Sequence, residues 1–404
     1  MNVESKRPRL YFLDNIKVLF TILVIFQHVR VTYGGLGVWY YIEAPPTDLF
    51  SIIFFILLSS FGGLFQASLM GLFFLMGGYF TPKSYDRKGV RSFWKERLLR
   101  LGIPLLLYIF LVNPILVYII HTLGIPNYGS FPIPQGSFLE FYLSQFQSLE
   151  AFIGFITQTG PMWFLYVLLI FTVVYTLWRQ LTKIDLIQRR IPTEFSIPKY
   201  FYLLLVAIIL GFVTFLVRIV SPIDKFPLGI PLGFFVQYLM MFSVGIIAVR
   251  YRWFEKMTRH HVKVWAITIL AVFILLYLYV FIFLGIDSDF SVFTGGFTWP
   301  ALVFAMVESV IVMGMIFVLL KIFYAKFNDQ GKILQNLSNS AFYMYLIHPI
   351  VLVPVSLGFA SLPLFPVIKL AIVFPLTVIL CYLISHFFLE RIHLNKHTRD
   401  TQNS

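Results

Sequence analysis

Apolar residues run along this chain in stretches of about 20, and short segments between them hold nearly all of its charge. A helix needs about that length to cross the hydrocarbon core of a bilayer. The pattern predicts spans near 11–33, 50–80, 101–123, 161–180, 200–220, 231–249, 262–284, 300–324, 340–359 and 366–389. The second is long and contains Gly62, Gly63 and Gly71, so a kink or a re-entrant start is expected there. The segment Ser137–Thr157 mixes apolar residues with Glu140, Gln145, Gln147 and Glu150, which suits a surface-lying piece rather than a crossing. The chain shows no internal repeat and no low-complexity tract.

Composition agrees with a bilayer as solvent. Of 404 residues, 59% are hydrophobic and 12% charged, about half the charge of a soluble domain. Only helices satisfy their own backbone in lipid without closing a barrel, so the expected fold class is all-α: a polytopic membrane bundle of about ten helices. It would occupy 1–390, with a short polar cytoplasmic tail at 391–404. The net charge of +13 could suggest nucleic acid, but the basic residues lie in short loops between apolar runs, so no nucleic-acid partner is expected. The single cysteine, Cys381, lies inside the last run, and no Cys/His metal motif exists. The basic start (Lys6, Arg7, Arg9) leads into a long run holding Asp14 and Lys17, which reads as a first span and not a cleaved signal.

Charge also sets orientation. With the N-terminus in the cytoplasm, all but four of the 31 lysines and arginines fall in inner segments; the exceptions are Arg30, Arg218, Lys225 and Lys369. Glu43, Asp48, Asp224, Asp287 and Asp289 fall outside. Both termini are therefore expected in the cytoplasm of a multi-pass plasma-membrane protein.

Ionisable side chains within spans are costly and mark cavities or partners. The first helix carries Asp14, Lys17, Thr21 and His28. Lys17 and His28 are three turns apart on one face, roughly 16 Å along the axis. Such a stripe suggests a lined passage, with His28 toward the outer third as a usable general base. The plainer alternative is an Asp14–Lys17 interfacial pair and a His28–Arg30 headgroup contact. Glu308 sits well inside the eighth span beside Ser309 and must be paired or protonated. His348 lies mid-span before the helix-kinking Pro349, next to a cavity or as a packing histidine. Arg218, at the outer end of the fifth span, is a candidate for binding an external anion, or an anchor. Arg97 and Arg100, at i and i+3 in a strongly basic inner loop, suit phosphate groups or plain inner-side anchoring.

These residues stand in a recognisable order. The stretch Leu13–His28, Phe73-Phe-Leu-Met-Gly-Gly-Tyr79, Arg97-Leu-Leu-Arg100-Leu-Gly-Ile-Pro104, Pro161-Met-Trp163-Phe-Leu and Leu337–Pro349 with His348 together resemble acyltransferase family 3, over about Arg9 to Glu390. The family usually has Arg where Lys17 stands and Ser where Gly77 stands. The likeness is strongest to its glucan-succinylating branch of the bacterial envelope. It implies an enzyme that takes an acetyl or succinyl group from cytoplasmic acyl-CoA to a hydroxyl of an envelope glycan or similar acceptor. Acyl-CoA would be a substrate, with no permanently bound cofactor. In that frame Arg97 and Arg100 hold the donor's phosphates, Asp14 and Lys17 order the inner end of the passage, and His28 acts as base or forms a transient acyl-imidazole. A transporter of a sugar, lipid or small anion would use the same polar stripe, although the paired repeats common in transporters are missing. A non-catalytic membrane partner leaves the stripe unexplained.

Overall fold

The computed structural model describes residues 10–34, 37–44, 46–125, 135–182, 192, 194–280, 282 and 291–402, with the side chains of 59–61, 63–65 and 389–402 outside the description. The basic start Lys6, Arg7 and Arg9, the loop residues Lys183, Arg189 and Arg190, and Asp287 and Asp289 lie outside the described residues.

The described chain is helical throughout, in the order α1 (Tyr11–Gly34), α2 (Leu49–Arg97), α3 (Ile103–Leu107), α4 (Asn113–Thr122), α5 (Phe138–Ser144), α6 (Leu149–Thr157), α7 (Trp163–Leu181), α8 (Tyr200–Val220), α9 (Leu232–Tyr251), α10 (Arg259–Tyr279), α11 (Trp299–Lys326), α12 (Lys332–Gly358) and α13 (Pro366–Gln402). Among these residues, nine helical runs are long and apolar enough to cross a membrane. Large apolar side chains cover the outer surface, among them Leu106, Leu177, Phe201, Ile209 and Leu275. That surface needs lipid around it, so the protein is a multi-pass membrane bundle.

One of the nine runs, Gln66–Thr122, is 57 residues long. A straight helix of that length would measure about 85 Å, nearly three times the hydrocarbon core. It is a hairpin. Gly89 has φ 70° and ψ 166°, a conformation open in practice only to glycine. Contacts pair residues symmetrically about it: Tyr85 meets Phe93 edge to face at 5.4 Å, and Arg97 Nη2 donates to Thr81 Oγ1 at 2.9 Å. In a continuous helix Thr81 and Arg97 would stand about 24 Å apart. The run therefore holds two limbs of crossing length, which brings the number among the described residues to ten, the number the hydrophobic pattern predicts. The expected kink at Gly62–Gly63 is absent; the helix passes through it and reverses at Gly89 instead.

The return limb is irregular. π-helical turns at Leu98–Gly102 and Tyr108–Val112 flank α3, next to Pro104 and Pro114, whose missing N–H groups break the regular ladder. Segment 137–157 forms α5 and α6, each too short to cross. A capping box starts α5, and the Ser137 N–H and O–H donors hold the Glu140 carboxyl below its usual range. The tail expected from residue 391 continues the backbone helix of α13.

Close packing at the centre joins α2 to α9. A Cβ on Gly78 would lie 2.0 Å from the Phe242 carbonyl oxygen, and one on Gly245 would lie 2.1 Å from that of Leu75. Two backbones can touch there only because both residues lack side chains. Toward the other side, α1 packs beside α12 and α13, which builds the wall that carries the polar residues.

Candidate active site

Two parallel helices set the site. At the start of α1, Asn15 Nδ2 donates to the carbonyls of Phe327 (2.8 Å) and Asp329 (2.9 Å), and Gln330 Nε2 donates to Asn15 Oδ1 (2.7 Å). These bonds fix the start of α1 to the turn before α12. One level up, Thr21 Oγ1 donates to the Ala341 carbonyl at 3.4 Å. Seven residues further along both helices, His28 faces His348, with ring centroids 5.1 Å apart and planes 18° from parallel. The equal step from Thr21 and from Ala341 means the helices keep register over that distance, about 10 Å. The sequence gives no hint that the two histidines meet.

Trp39 completes the site. Its indole lies 4.0 Å from the His28 ring, at 21°, and 6.0 Å from His348. The three centroid separations form a triangle nearly right-angled at His28. The indole therefore lies over the face of that ring, and His348 approaches it from a different direction. The loop after α1 is pinned just beyond Trp39, at Tyr40 and Glu43. Tyr40 donates to Asn113 Oδ1 at 2.5 Å and accepts from the Tyr108 hydroxyl at 2.6 Å, while Asn113 Nδ2 donates to Gln158 Oε1 at 3.3 Å. The Glu43 N–H donates to the Thr32 carbonyl at 2.8 Å, and Lys369, only 2% exposed, donates to Glu43 Oε1 at 2.6 Å and to the Ala360 carbonyl at 3.3 Å. Sequence reasoning missed Trp39. The aromatic cluster Val38-Trp-Tyr-Tyr41 directly after the histidine-bearing helix was the available signal.

His348 is wholly buried, and its Nδ1–H donates to the Tyr345 carbonyl at 2.5 Å. A carbonyl only accepts, so the His348 proton sits on Nδ1 and the lone pair on Nε2. The Tyr345 hydroxyl in turn donates to the Pro161 carbonyl at 2.5 Å, which ties α12 to the start of α7. Phe164 and Trp163 continue the aromatic packing, with Trp163 stacked on Tyr238 at 5.5 Å.

The other candidates fall in separate places. Asp14 and Lys17 form an ion pair at 2.5 Å, at the opposite end of α1 from His28. Arg97 turns into the hairpin toward Thr81 and the Phe93 ring, whereas the exposed Arg100 lies over Phe342 of α12 at 5.8 Å. The two guanidinium groups thus have different neighbours, because the π-turn begins between them. Arg218 does not reach outward. It is 0% exposed and meets Glu308, also 0% exposed, at 2.5 Å. Its Nε donates to the Gly233 carbonyl at 2.9 Å, and Gln237 Nε2 bridges Glu308 and Ser309 at 3.0 Å each. The carboxylate that had to be paired has its partner. The arginine that broke the charge pattern is that partner rather than an external anion site.

The described residues thus form a membrane bundle of apolar helices with a polar wall that carries the partly exposed His28 beside the buried His348. The sequence matches the family model described as an acyltransferase domain over residues 10–386, and the chain belongs to that family. It also resembles glucans biosynthesis protein C from Salmonella paratyphi B, Salmonella heidelberg and Salmonella schwarzengrund, each 31% identical over 99 residues. That alignment covers 24% of this chain and 23% of each relative, so the likeness spans about a quarter of their length. No solved structure matches the chain.

Proposed function

We propose that this chain is an integral-membrane O-acyltransferase that moves an acetyl or succinyl group from cytoplasmic acyl-CoA to a hydroxyl of an envelope glycan, in a bacterial plasma membrane with both termini inside. The observation that carries the proposal is the partly exposed His28, held under Trp39 and beside His348 within a chain that matches the acyltransferase family over residues 10–386. The distribution of lysine and arginine supports an inner position for Lys17, Arg97 and Arg100, the side where a nucleotide-bearing donor is made. Register along α1 and α12 then leads from that end to His28. The three helical turns between Lys17 and His28, about 16 Å, are within reach of an extended pantetheine arm.

In direct transfer, His28 removes the acceptor hydroxyl's proton as the oxygen bonds to the acyl carbon. The carbon–sulfur bond breaks, and the departing thiolate takes up a proton. In the two-step alternative, His28 attacks the thioester carbon and the carbon–sulfur bond breaks; the acceptor oxygen then bonds to the acyl carbon as the carbon–imidazole bond breaks, and the acceptor's proton ends on the departed thiolate. Both routes need a neutral imidazole with a lone pair directed at substrate.

Membranes holding the protein, incubated with labelled acetyl-CoA or succinyl-CoA and candidate glycans, test this directly, with mass spectrometry of the glycan as readout. His28→Ala is expected to abolish transfer while expression and topology stay intact. Transfer that survives in this variant removes His28 from the mechanism. Purified protein in liposomes that moves solute but consumes no acyl-CoA would establish transport instead.

A further inference from the structure

Two polar atoms are enclosed beside each other with nothing bonded to either. His28 Nδ1 and His348 Nε2 both lack a hydrogen-bond partner. Other buried polar atoms of the bundle also lack a partner, and what sets these two apart is that they belong to neighbouring rings and that pairing would relieve a cost of roughly 1–3 kcal/mol each. Their chemistry is complementary. The Tyr345 carbonyl fixes the His348 proton on Nδ1, which makes Nε2 an acceptor. His28 Nδ1 becomes a donor in one of that ring's two neutral tautomers.

The geometry allows the bond. Two imidazoles side by side, joined by an N–H···N bond of about 2.9 Å, have ring centroids roughly 5 Å apart. The observed separation is 5.1 Å, the planes are 18° from parallel, and Trp39 lies over the face of His28 in a direction nearly perpendicular to that of His348. The Tyr345 carbonyl fixes the His348 ring, so a rotation of the His28 ring about its Cβ–Cγ bond is the motion that would close the contact. Catalytic hydrogen bonds are often long in the free protein and tighten when substrate is present.

We propose that His348 is the positioning residue for His28, completing a chain from the Tyr345 carbonyl through His348 Nδ1–H and Nε2 to His28 Nδ1–H. The chain holds His28 as its Nδ1–H tautomer. The lone pair is then on Nε2, and His28 is the more exposed of the two rings. When Nε2 takes a proton or an acyl group, the charge on His28 is stabilised through Nδ1–H by the His348 lone pair. His348 touches no reacting atom and keeps its own proton on Nδ1 throughout. Trp39 keeps His28 in the plane where this contact is possible. The inference rests on the acyl-transfer reading for its kinetic consequence but not for its tautomer.

The test uses the full-length protein in nanodiscs with two substitutions. His348→Asn keeps an amide N–H for the Tyr345 carbonyl but is too short to accept from His28. His348→Gln reaches far enough to offer an acceptor. Removing a supporting partner of this kind lowers activity about 10–100-fold. The expected result is that loss in kcat for His348→Asn with the KM for acyl-CoA unchanged, and recovery of most of it in His348→Gln. Nitrogen-15 NMR of histidine-labelled protein, assigned against His28→Ala, reads the tautomer: the proton should reside on His28 Nδ1 in the unaltered protein and move to Nε2 in His348→Asn. His348→Asn retaining kcat within threefold, or His28 carrying its proton on Nε2 in the unaltered protein, overturns the proposal. An unaltered protein that transfers no acyl group from either donor tells against the acyl-transfer reading. The NMR measurement then decides the His28–His348 pairing by itself.

Discussion

Glu308→Gln is the sharpest perturbation of the bundle away from its candidate site. Arg218 and Glu308 are both fully enclosed, with Nη2 and Oε2 at 2.5 Å. Glutamine keeps the shape and can still accept from Arg218 and Gln237, so packing and hydrogen-bond count barely change. What disappears is one charge, which leaves an enclosed guanidinium with no counter-ion in this cluster. Two unit charges about 4 Å apart at an effective dielectric constant of about 20 attract by about 4 kcal/mol. Breaking a buried pair by removing one partner costs about 3–5 kcal/mol in soluble proteins, so the two figures agree. The assay is unfolding by SDS titration in mixed micelles, comparing wild type, Glu308→Gln and the double variant Arg218→Met with Glu308→Leu. The single variant should lose about 3–5 kcal/mol. The double variant, which removes both charges, should recover to within about 2 kcal/mol of wild type, with the deficit coming from the Gly233 carbonyl and Gln237 left short of partners. Equal stability of Glu308→Gln and wild type would refute the view that Arg218 depends on this carboxylate.

Two further outcomes follow from close contacts. Gly78→Ala drives a methyl group into the Phe242 carbonyl and must push α2 from α9, so it should cost about 1–3 kcal/mol in the same titration; an unchanged midpoint would show that the two backbones separate freely. Arg97→Gln removes the guanidinium beside Thr81 and should raise the KM for acyl-CoA about tenfold, the size of a lost charge-assisted hydrogen bond of about 1.5 kcal/mol, with kcat nearly unchanged; a KM equal to wild type would take Arg97 out of donor binding.

The hydrophobic pattern determined the membrane class, the stretches of crossing length and the absence of such a stretch at 137–157, because crossing length and backbone satisfaction in lipid are local demands that each stretch meets by itself. It also exposed His28, Glu308, Arg218 and His348 as anomalies, since a polar group in an apolar run is visible without knowing its neighbours. Partners were beyond its reach. Glu308 and Arg218 lie 90 residues apart in the chain, and the contacts between α1 and the α12 region join residues more than 300 apart. Helical periodicity names the face a side chain occupies but not the helix that face meets. That choice belongs to tertiary packing: to Gly78 and Gly245 letting α2 and α9 touch, to Gly89 reversing the chain, and to the register that sets His28 level with His348. Trp39 was hidden for the same reason, because a loop aromatic acquires a role only when Tyr40 and Glu43 anchor it over a particular ring.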